Sequence, residues 1–138
     1  MILVLPMKLP SVANQRIHWA TKARQVKAQR QAVAFAWFEV PDRFTWAARF
    51  KAFLSGPGIE VTLTRQAPRA LDSDNLASAF KAIRDEVALK LGVNDNDPRV
   101  TWSYGQSKGP AKVVIDIWAR ASVAARMDET LAKANGDV

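Results

Sequence analysis

The chain has 138 residues, a formal net charge of +7 and no cysteine. This length fits one domain and excludes two full-sized ones. The lack of cysteine excludes disulfide bonds, thiolate metal sites and thiol nucleophiles. The positive charge predicts a polyanionic partner, with nucleic acid the first candidate and an acidic membrane surface or solubility under crowding as the alternatives.

The apolar first ten residues predict a buried strand over residues 2–5. Pro6 and Lys8 interrupt the run and no small-residue cleavage site follows, so it does not resemble a signal peptide. Nothing in the sequence approaches the roughly 20 apolar residues that span a bilayer. We therefore expect a soluble, cytoplasmic protein without a membrane span, which the absence of cysteine also favours.

The first 38 residues contain no acidic residue, and their cations account for most of the net charge. Apolar residues recur at three- and four-residue steps from Trp19 to Trp37, which predicts a helix over residues 19–38. Its cations lie on more than one face. They either contact phosphates or are merely the solvated side chains of an amphipathic helix. His18, the only histidine, either stacks on a base, acts as a general acid or base, or has a structural role. The candidate DNA-contacting residues are Asn14, Arg16, Lys22, Arg24, Lys27, Arg30, Arg69 and Lys108.

The remaining elements complete an α+β pattern. Residues 44–54 are aromatic and alternate only in part, which leaves a strand and a short helix both open, whereas residues 59–64 alternate as a half-buried strand does. Residues 99–106 and 113–118 predict two strands that pair antiparallel through a hairpin-like connection. The alanine-rich residues 119–133 predict a C-terminal helix.

These elements predict a single α+β domain over residues 1–138. We expect a mixed or mostly antiparallel sheet of about four strands, packed by two main helices. Residues 120–138 form the expected C-terminal helix or tail.

Six of the thirteen carboxylates lie in residues 72–97. Within this stretch, residues 74–91 predict a helix with an apolar face made of Leu76, Phe80, Ile83, Val87 and Leu91. The opposite, polar face carries Asp74, Ser78, Lys81 and Asp85. This polar face is either a functional site or a solvated surface, in which the lysine and the second aspartate form an i,i+4 pair and residue 72 or 73 caps the helix.

Two Asp-x-Asp pairs flank the predicted helix: Asp72 and Asp74 at its start, and Asp95 and Asp97 after its end. Mg²⁺ or Mn²⁺ is held by a few carboxylates with water and substrate phosphate, and several aspartates without cysteine fit this ligand chemistry better than they fit zinc. The glycine and glutamate of an EF-hand loop are missing, which excludes that calcium site. A hard cation beside a basic surface predicts phosphodiester chemistry, with Lys81 as a further positive contact to phosphate.

The order of these residues resembles that of RusA-type Holliday junction resolvases. The resemblance rests on the run Asp72-Ser73-Asp74-Asn75-Leu76, on Lys81, Asp85 and Gly92, on the run from Asp97 to Val100, and on Pro6 and Asn14. It covers roughly residues 2–118. It implies a small dimeric α+β endonuclease, of a kind encoded by bacteria, prophages and phages, that cuts four-way DNA junctions symmetrically with Mg²⁺ or Mn²⁺.

The resemblance also implies roles for individual residues. Asp72 and Asp74 match the paired metal-binding aspartates, Asp97 matches the third, and Asp95 is the rival third ligand. The lysine of the family comes four residues after the second aspartate, where this chain has Ser78, and Lys81 lies about one turn later on the same helical face. The implied catalytic residues are Asp72, Asp74, Lys81 and Asp97.

We therefore expect a metal-dependent, structure-selective endodeoxyribonuclease that resolves Holliday junctions in recombination and repair. It is expected to act as a homodimer, because two matched cuts need two matched sites. Two alternatives stay open. One is a basic DNA-binding protein without catalysis, and the other is a nuclease that acts on another nucleic acid, such as flaps or RNA.

Overall fold

A computed structural model describes residues 1–11 and 18–121 of the chain. The elements in chain order are β1 (Ile2–Leu5), α1 (Trp19–Glu39), α2 (Arg43–Leu54), β2 (Ile59–Ala67), α3 (Ser73–Ala79), α4 (Lys81–Leu91), β3 (Val100–Lys108) and β4 (Lys112–Ala119). The predicted first strand, the long basic helix and the half-buried strand are confirmed, and the stretch left open forms the helix α2. Residues 122–138, which hold most of the predicted C-terminal helix, lie outside the described residues, as do Asn14 and Arg16.

The four strands form one mixed sheet in the order β1-β4-β2-β3. β4 pairs antiparallel with both β1 and β2, whereas β3 pairs parallel with β2. α1 packs against α4 and β1, and α2 contacts α1 and β2. The expected α+β architecture with a mixed four-stranded sheet is therefore confirmed. Within residues 1–11 and 18–121, no helix combines the length and the apolar character needed to cross a bilayer.

The predicted pairing of β3 with β4 is wrong, because β2 lies between them. The connection from β3 to β4 crosses the end of β2, where the Gly109 N–H donates to the Ala67 carbonyl (3.2 Å) and the Gln66 side-chain amide donates to the Pro110 carbonyl (3.0 Å). A Cβ at Gly109 would lie 2.6 Å from Gln66 Nε2, so only glycine fits this crossing without a shift of the glutamine. A short Gly-Pro connection therefore straddles a strand here instead of joining two neighbours.

One face of the sheet packs against the helices and holds the core. Every second residue of β2 is buried from Ile59 to Ala67. The predicted apolar face of the acidic stretch is also confirmed as buried, with Leu76, Phe80, Ile83, Val87 and Leu91 in the core. Each such side chain contributes roughly 1.5–3 kcal/mol when it is fully buried. This face therefore anchors the acidic stretch to the sheet.

The acidic stretch forms two helices instead of the single predicted helix. α3 ends and α4 begins at Phe80, whose N–H donates to the Ala77 carbonyl (3.2 Å), three residues back instead of four. The Phe80 side chain is fully buried, and its ring centre lies 5.9 Å from that of Tyr104. The tightened turn thus occurs where the largest side chain of the face enters the core. The apolar spacing continues through this turn, which is why periodicity does not predict the break.

Candidate metal and nucleic-acid site

β2, the two helices α3 and α4, and β3 form a β-helix-β unit that fixes where the two acidic pairs lie. β2 and β3 are parallel, with Ile59 opposite Val100 and Ala67 opposite Lys108. The chain leaves the C-terminal end of β2, returns along the helices and enters β3 at its N-terminal end, beside the start of β2. A strand of nine residues spans about 30 Å. Residues that follow β2 and residues that precede β3 therefore lie at opposite ends of the unit.

The first acidic pair begins α3. Asp72 is the N-cap: its Oδ1 accepts from the Asn75 backbone N–H (2.9 Å) and its Oδ2 accepts from the Asn75 side-chain amide (3.0 Å). Asp74 lies in the first turn and is exposed. No ion pair is formed by either carboxylate with a described residue. The capping role foreseen for residue 72 is present, and it leaves the pair open to solvent.

The second acidic pair is bound to arginines. The Asp95 carbonyl accepts from Arg84 Nη2 (2.7 Å) and from the Trp102 indole N–H (2.9 Å), and the Asp95 carboxylate lies 3.7 Å from Arg84 Nε. Asp97 accepts from the Arg99 backbone N–H (2.9 Å) and from Arg99 Nε (3.1 Å) and Nη2 (2.8 Å). The hydrogen bonds from the Arg99 side chain, followed by the one from its backbone, lower the pKa of Asp97 to about 2.

The structure does not bring the two pairs together within one chain. Leu71, which precedes the first pair, exchanges two hydrogen bonds with the Gln106 side chain near the end of β3 (3.0 and 2.6 Å). At the start of β3, the Val100 N–H donates to the Asp97 carbonyl (3.0 Å). The strand between these two points is about 20 Å long. Among the described residues, no three His, Cys, Asp or Glu side chains form a group that could hold a metal ion.

A groove of about 410 Å³ lies between α1 and the helices α3 and α4. Ser78, Lys81 and Asp85, three members of the predicted polar face, line one wall, and Lys22 of α1 lines the other. Lys81 Nζ lies 3.4 Å from the Asp85 carboxylate, and the lysine side chain is 75% exposed. The predicted polar face is therefore real, and it faces a groove that carries cations from two helices.

The other predicted DNA contacts differ in their surroundings. Arg24 and Lys27 are exposed on α1. Arg30 instead donates to the Glu86 carboxylate (3.3 Å), an ion pair that links α1 to α4. Arg69 and Lys108 are exposed near the end of the β-helix-β unit that carries Asp72.

His18 has a structural contact in this structure. It is the N-cap of α1, and its Nδ1 accepts from the Ala20 N–H (3.2 Å). Its ring centre lies 5.3 Å from that of Trp19. Of the three roles left open for this histidine, helix capping is the one with a contact in the described residues.

Arg65 is a buried residue that the sequence reading did not single out as part of a site. Its Nε donates to the Leu9 carbonyl (2.8 Å) and its Nη1 donates to the Arg69 carbonyl (2.8 Å). It therefore ties the segment before α1 to the loop that leads into Asp72. The sequence does contain a signal for the burial of Arg65: strict alternation along β2 assigns residue 65 to the same buried face as Leu63.

Comparison with known proteins adds no relative. No protein-family model matches the sequence, and no curated protein or solved structure shows detectable similarity to the chain. The resemblance to RusA-type resolvases therefore rests on the residues named above, and it stays a prediction.

Proposed function

We propose that this protein is a divalent-metal-dependent nuclease that cuts branched DNA, in keeping with its resemblance to RusA-type resolvases. The observation that carries the proposal is the order of polar side chains along α3 and α4. Asp74 and Ser78 lie one turn apart in α3, and Ser78 and Lys81 line the groove opposite Lys22. A carboxylate for a cation thus lies one turn before a groove that carries amines for phosphate, and metal-assisted phosphodiester hydrolysis uses this combination.

The first acidic pair fits a hard cation. Mg²⁺ is commonly held by one or two carboxylates, with water and substrate phosphate as its other ligands, and Asp72 and Asp74 supply two. Each Asp72 oxygen keeps a free lone pair after it accepts from Asn75, and these bonds fix the carboxylate in one orientation. When bound there, Mg²⁺ or Mn²⁺ would supply activation of water and neutralisation of negative charge.

Two lysines supply the contact to phosphate. The exposed pair of Lys81 and Asp85 is long, at 3.4 Å, and a pair of this kind contributes at most about 1 kcal/mol. A phosphate can therefore replace the carboxylate at little cost. Lys22 lines the other wall of the groove, so the two amines bind the phosphate backbone from both walls.

Among the described residues of one chain, no third carboxylate joins Asp72 and Asp74, so we assign that role to a second copy of the chain. Asp97 of the same chain lies at the other end of the β-helix-β unit, on the order of 20 Å away, and Asp95 lies beside it. Under this proposal Asp97 is a structural residue in a single chain. The homodimer that the resemblance implies would be needed both for two matched cuts and for any shared metal site.

The test is cleavage of a labelled four-way junction in Mg²⁺ by the wild type, Asp74→Asn and the control Asp42→Asn. Asp42 is an exposed aspartate that makes no capping hydrogen bond at the start of α2. We expect Asp74→Asn to abolish cleavage and to bind the junction as well as the wild type or tighter, because the loss of charge relieves repulsion of phosphate. Asp42→Asn should cut normally. Undiminished cleavage by Asp74→Asn would contradict the proposal.

A second candidate, a DNA-binding protein without catalysis, is favoured by one observation. Asp72 caps a helix and the second pair is held by arginines, so three of the four aspartates have structural partners. This candidate predicts that Mn²⁺ changes neither the tryptophan fluorescence nor the thermal stability, and that no branched substrate is nicked. Cleavage of flaps or RNA in preference to junctions would instead indicate a nuclease for another nucleic acid.

A further inference from the structure

Three phenylalanine side chains are exposed to solvent where α1 ends and α2 begins. Phe35, Phe38 and Phe44 are 72%, 59% and 78% exposed. The core-facing positions of α1 are taken by Val33 and Trp37, which are buried. The three rings are therefore not needed for the core, and exposed aromatic rings grouped in this way commonly mark an interaction site. We refer to Phe35, Phe38 and Phe44 as the aromatic surface.

The aromatic surface is continuous. Phe35 and Phe38 line one concavity of about 500 Å³ together with Gln31, Ala34 and Glu39. The Arg43 guanidinium carbon lies 5.8 Å from the centre of the Phe38 ring and 4.8 Å from that of Phe44. Arg43 thus joins the ring of α2 to the rings of α1, and its Nη1 is fixed by donation to the Phe38 carbonyl (3.0 Å).

Cations are interleaved with the rings. Besides Arg43, Lys90 of α4 places its Nζ 5.1 Å from the centre of the Phe38 ring. Neither cation forms an ion pair with a described acid. Two acids lie beside the surface: Glu39, the last residue of α1, which lines the concavity, and Asp42, in the short segment between the helices. The rings therefore have two cations beside them that form no ion pair with a described acid, and two carboxylates lie nearby.

The combination of exposed rings and nearby cations favours a single-stranded nucleic acid as the partner. Unpaired bases stack on exposed aromatic side chains while nearby cations hold the phosphate backbone, so such a partner would contact both the rings and the cations. A second copy of this chain would instead add another molecule with a net charge of +7, whereas a nucleic acid has the opposite charge. Like charges that meet in an interface oppose association.

We propose that the aromatic surface is a second nucleic-acid contact, which binds unpaired bases. It is distinct from the groove: on α1 the lining of the groove ends at Gln29, and the first ring of the surface, Phe35, lies six residues later, or about 9 Å along the helix axis. The inference rests on the proposed function, since both require a nucleic-acid partner. It adds that this nucleic acid includes an unstacked, single-stranded segment. Flaps and forks contain such a segment, whereas a fully paired four-way junction would provide one only where base pairs open at its branch point.

The test is binding in EDTA of a fluorescein-labelled oligo(dT) of about 20 nucleotides and of a duplex of the same length, measured by fluorescence anisotropy. The variant is the double substitution Phe35→Ala with Phe44→Ala, since both side chains are exposed and their loss leaves the core intact. Ile2→Ala is the control, because Ile2 is 61% exposed and alternates with the buried Leu3, so its side chain lies on the face of β1 opposite the core. Thermal melting checks that all three proteins fold alike.

We expect the double variant to bind oligo(dT) at least about tenfold more weakly, the loss expected from two stacking rings. The slope of log affinity against log salt should not change, because the rings neutralise no phosphate. Duplex affinity should change less than about twofold, and Ile2→Ala should match the wild type in both assays. Wild-type affinity of the double variant for oligo(dT) would overturn the inference.

Two further readouts identify other occupants. A change in sedimentation from dimer to monomer in the double variant, with oligo(dT) affinity unchanged, would assign the surface to a second copy and overturn the inference. Loss of binding to phosphatidylserine vesicles, again with oligo(dT) affinity unchanged, would overturn it in favour of a membrane. Because EDTA prevents cleavage, failure here is distinct from failure of the nuclease proposal, which is decided by junction cleavage with Asp74→Asn.

Discussion

Asp72 and Asp74 lie at the start of a helix, whereas Asp95 and Asp97 precede a strand, and the two pairs differ in what surrounds them. Asn75 holds one carboxylate of the first pair and leaves Asp74 exposed in the first turn of α3. Arg84 and Arg99 form ion pairs with the two carboxylates of the second pair. The same Asp-x-Asp spacing therefore gives one pair that is exposed to solvent, with Asp72 as a helix cap, and one pair that is bound by arginines. Neighbouring arginines, not the motif, decide which pair is available.

The largest expected effect concerns the second pair and its arginine. Arg84 donates to the Tyr104 hydroxyl (2.8 Å) and to the Asp95 carbonyl (2.7 Å), and its guanidinium lies over the Trp102 ring at 4.8 Å. We expect Arg84→Ala to lower the free energy of unfolding by about 2–3 kcal/mol, because two charge-assisted hydrogen bonds and a cation–π contact are lost. Urea denaturation measures this loss.

Lys81→Ala is the matched control on the same helix. The pair of Lys81 with Asp85 is exposed, so its loss should cost only a few tenths of a kcal/mol. Equal losses in Arg84→Ala and Lys81→Ala would show that Arg84 does not hold the segment around Asp95, and the contrast between the two acidic pairs would be weaker.

A metal titration separates the pairs more directly. If the first pair binds Mn²⁺, a concentration ten times the dissociation constant should raise the free energy of unfolding by about 1.4 kcal/mol. Asp74→Asn should remove this increase, and Asp97→Asn should retain it, because Asp97 lies at the other end of the unit. The midpoint of thermal unfolding with and without Mn²⁺ reports both results.

Two other outcomes of the titration carry information. Loss of the Mn²⁺ effect in Asp97→Asn, together with a dimeric mass, would show that a second copy supplies Asp97 to the metal. An unchanged Mn²⁺ effect in Asp74→Asn would rule out the first pair as the cation site.

The smallest expected effect is a pH dependence at Asp97. Its pKa is lowered from 3.8 to about 2 by Arg99, so the folded state favours the ionised carboxylate. The resulting stabilisation is present above a pH of about 4 and is lost as the pH falls toward 2. Asp97→Asn and Arg99→Gln should therefore both flatten the fall in the urea midpoint across this window. The same slope in Asp97→Asn as in the wild type would contradict the assignment.

The sequence could predict the elements whose pattern is local. The helix of residues 19–38 and the strand at residue 59 follow from spacing alone, because a helix repeats every 3.6 residues and a strand every two. The burial of the apolar face that includes Phe80 and Ile83 follows in the same way. At the candidate site, the polar face with Ser78, Lys81 and Asp85 was predictable, since the same periodicity places it opposite the buried one.

Other features depend on residues that are far apart in sequence. Arg65 reaches carbonyls of Leu9 and Arg69 from inside the core, and Arg30 pairs with Glu86 across fifty-six positions. A pattern of charges along the chain shows that these cations exist and does not show their partners. Arg30 therefore resembled a phosphate contact in sequence, although in the structure it links two helices.

The sequence by itself determined that this is a basic α+β chain with an acidic stretch on an amphipathic helical segment, because composition and periodicity are local properties. Only the tertiary structure decided the sheet order, with β2 between β3 and β4, and the distance between the acidic pairs. The physical reason is the parallel pairing of β2 with β3. Parallel strands must be joined by a crossover connection that runs back along the length of the strands. Residues before α3 and residues after α4 therefore lie at opposite ends of the strands.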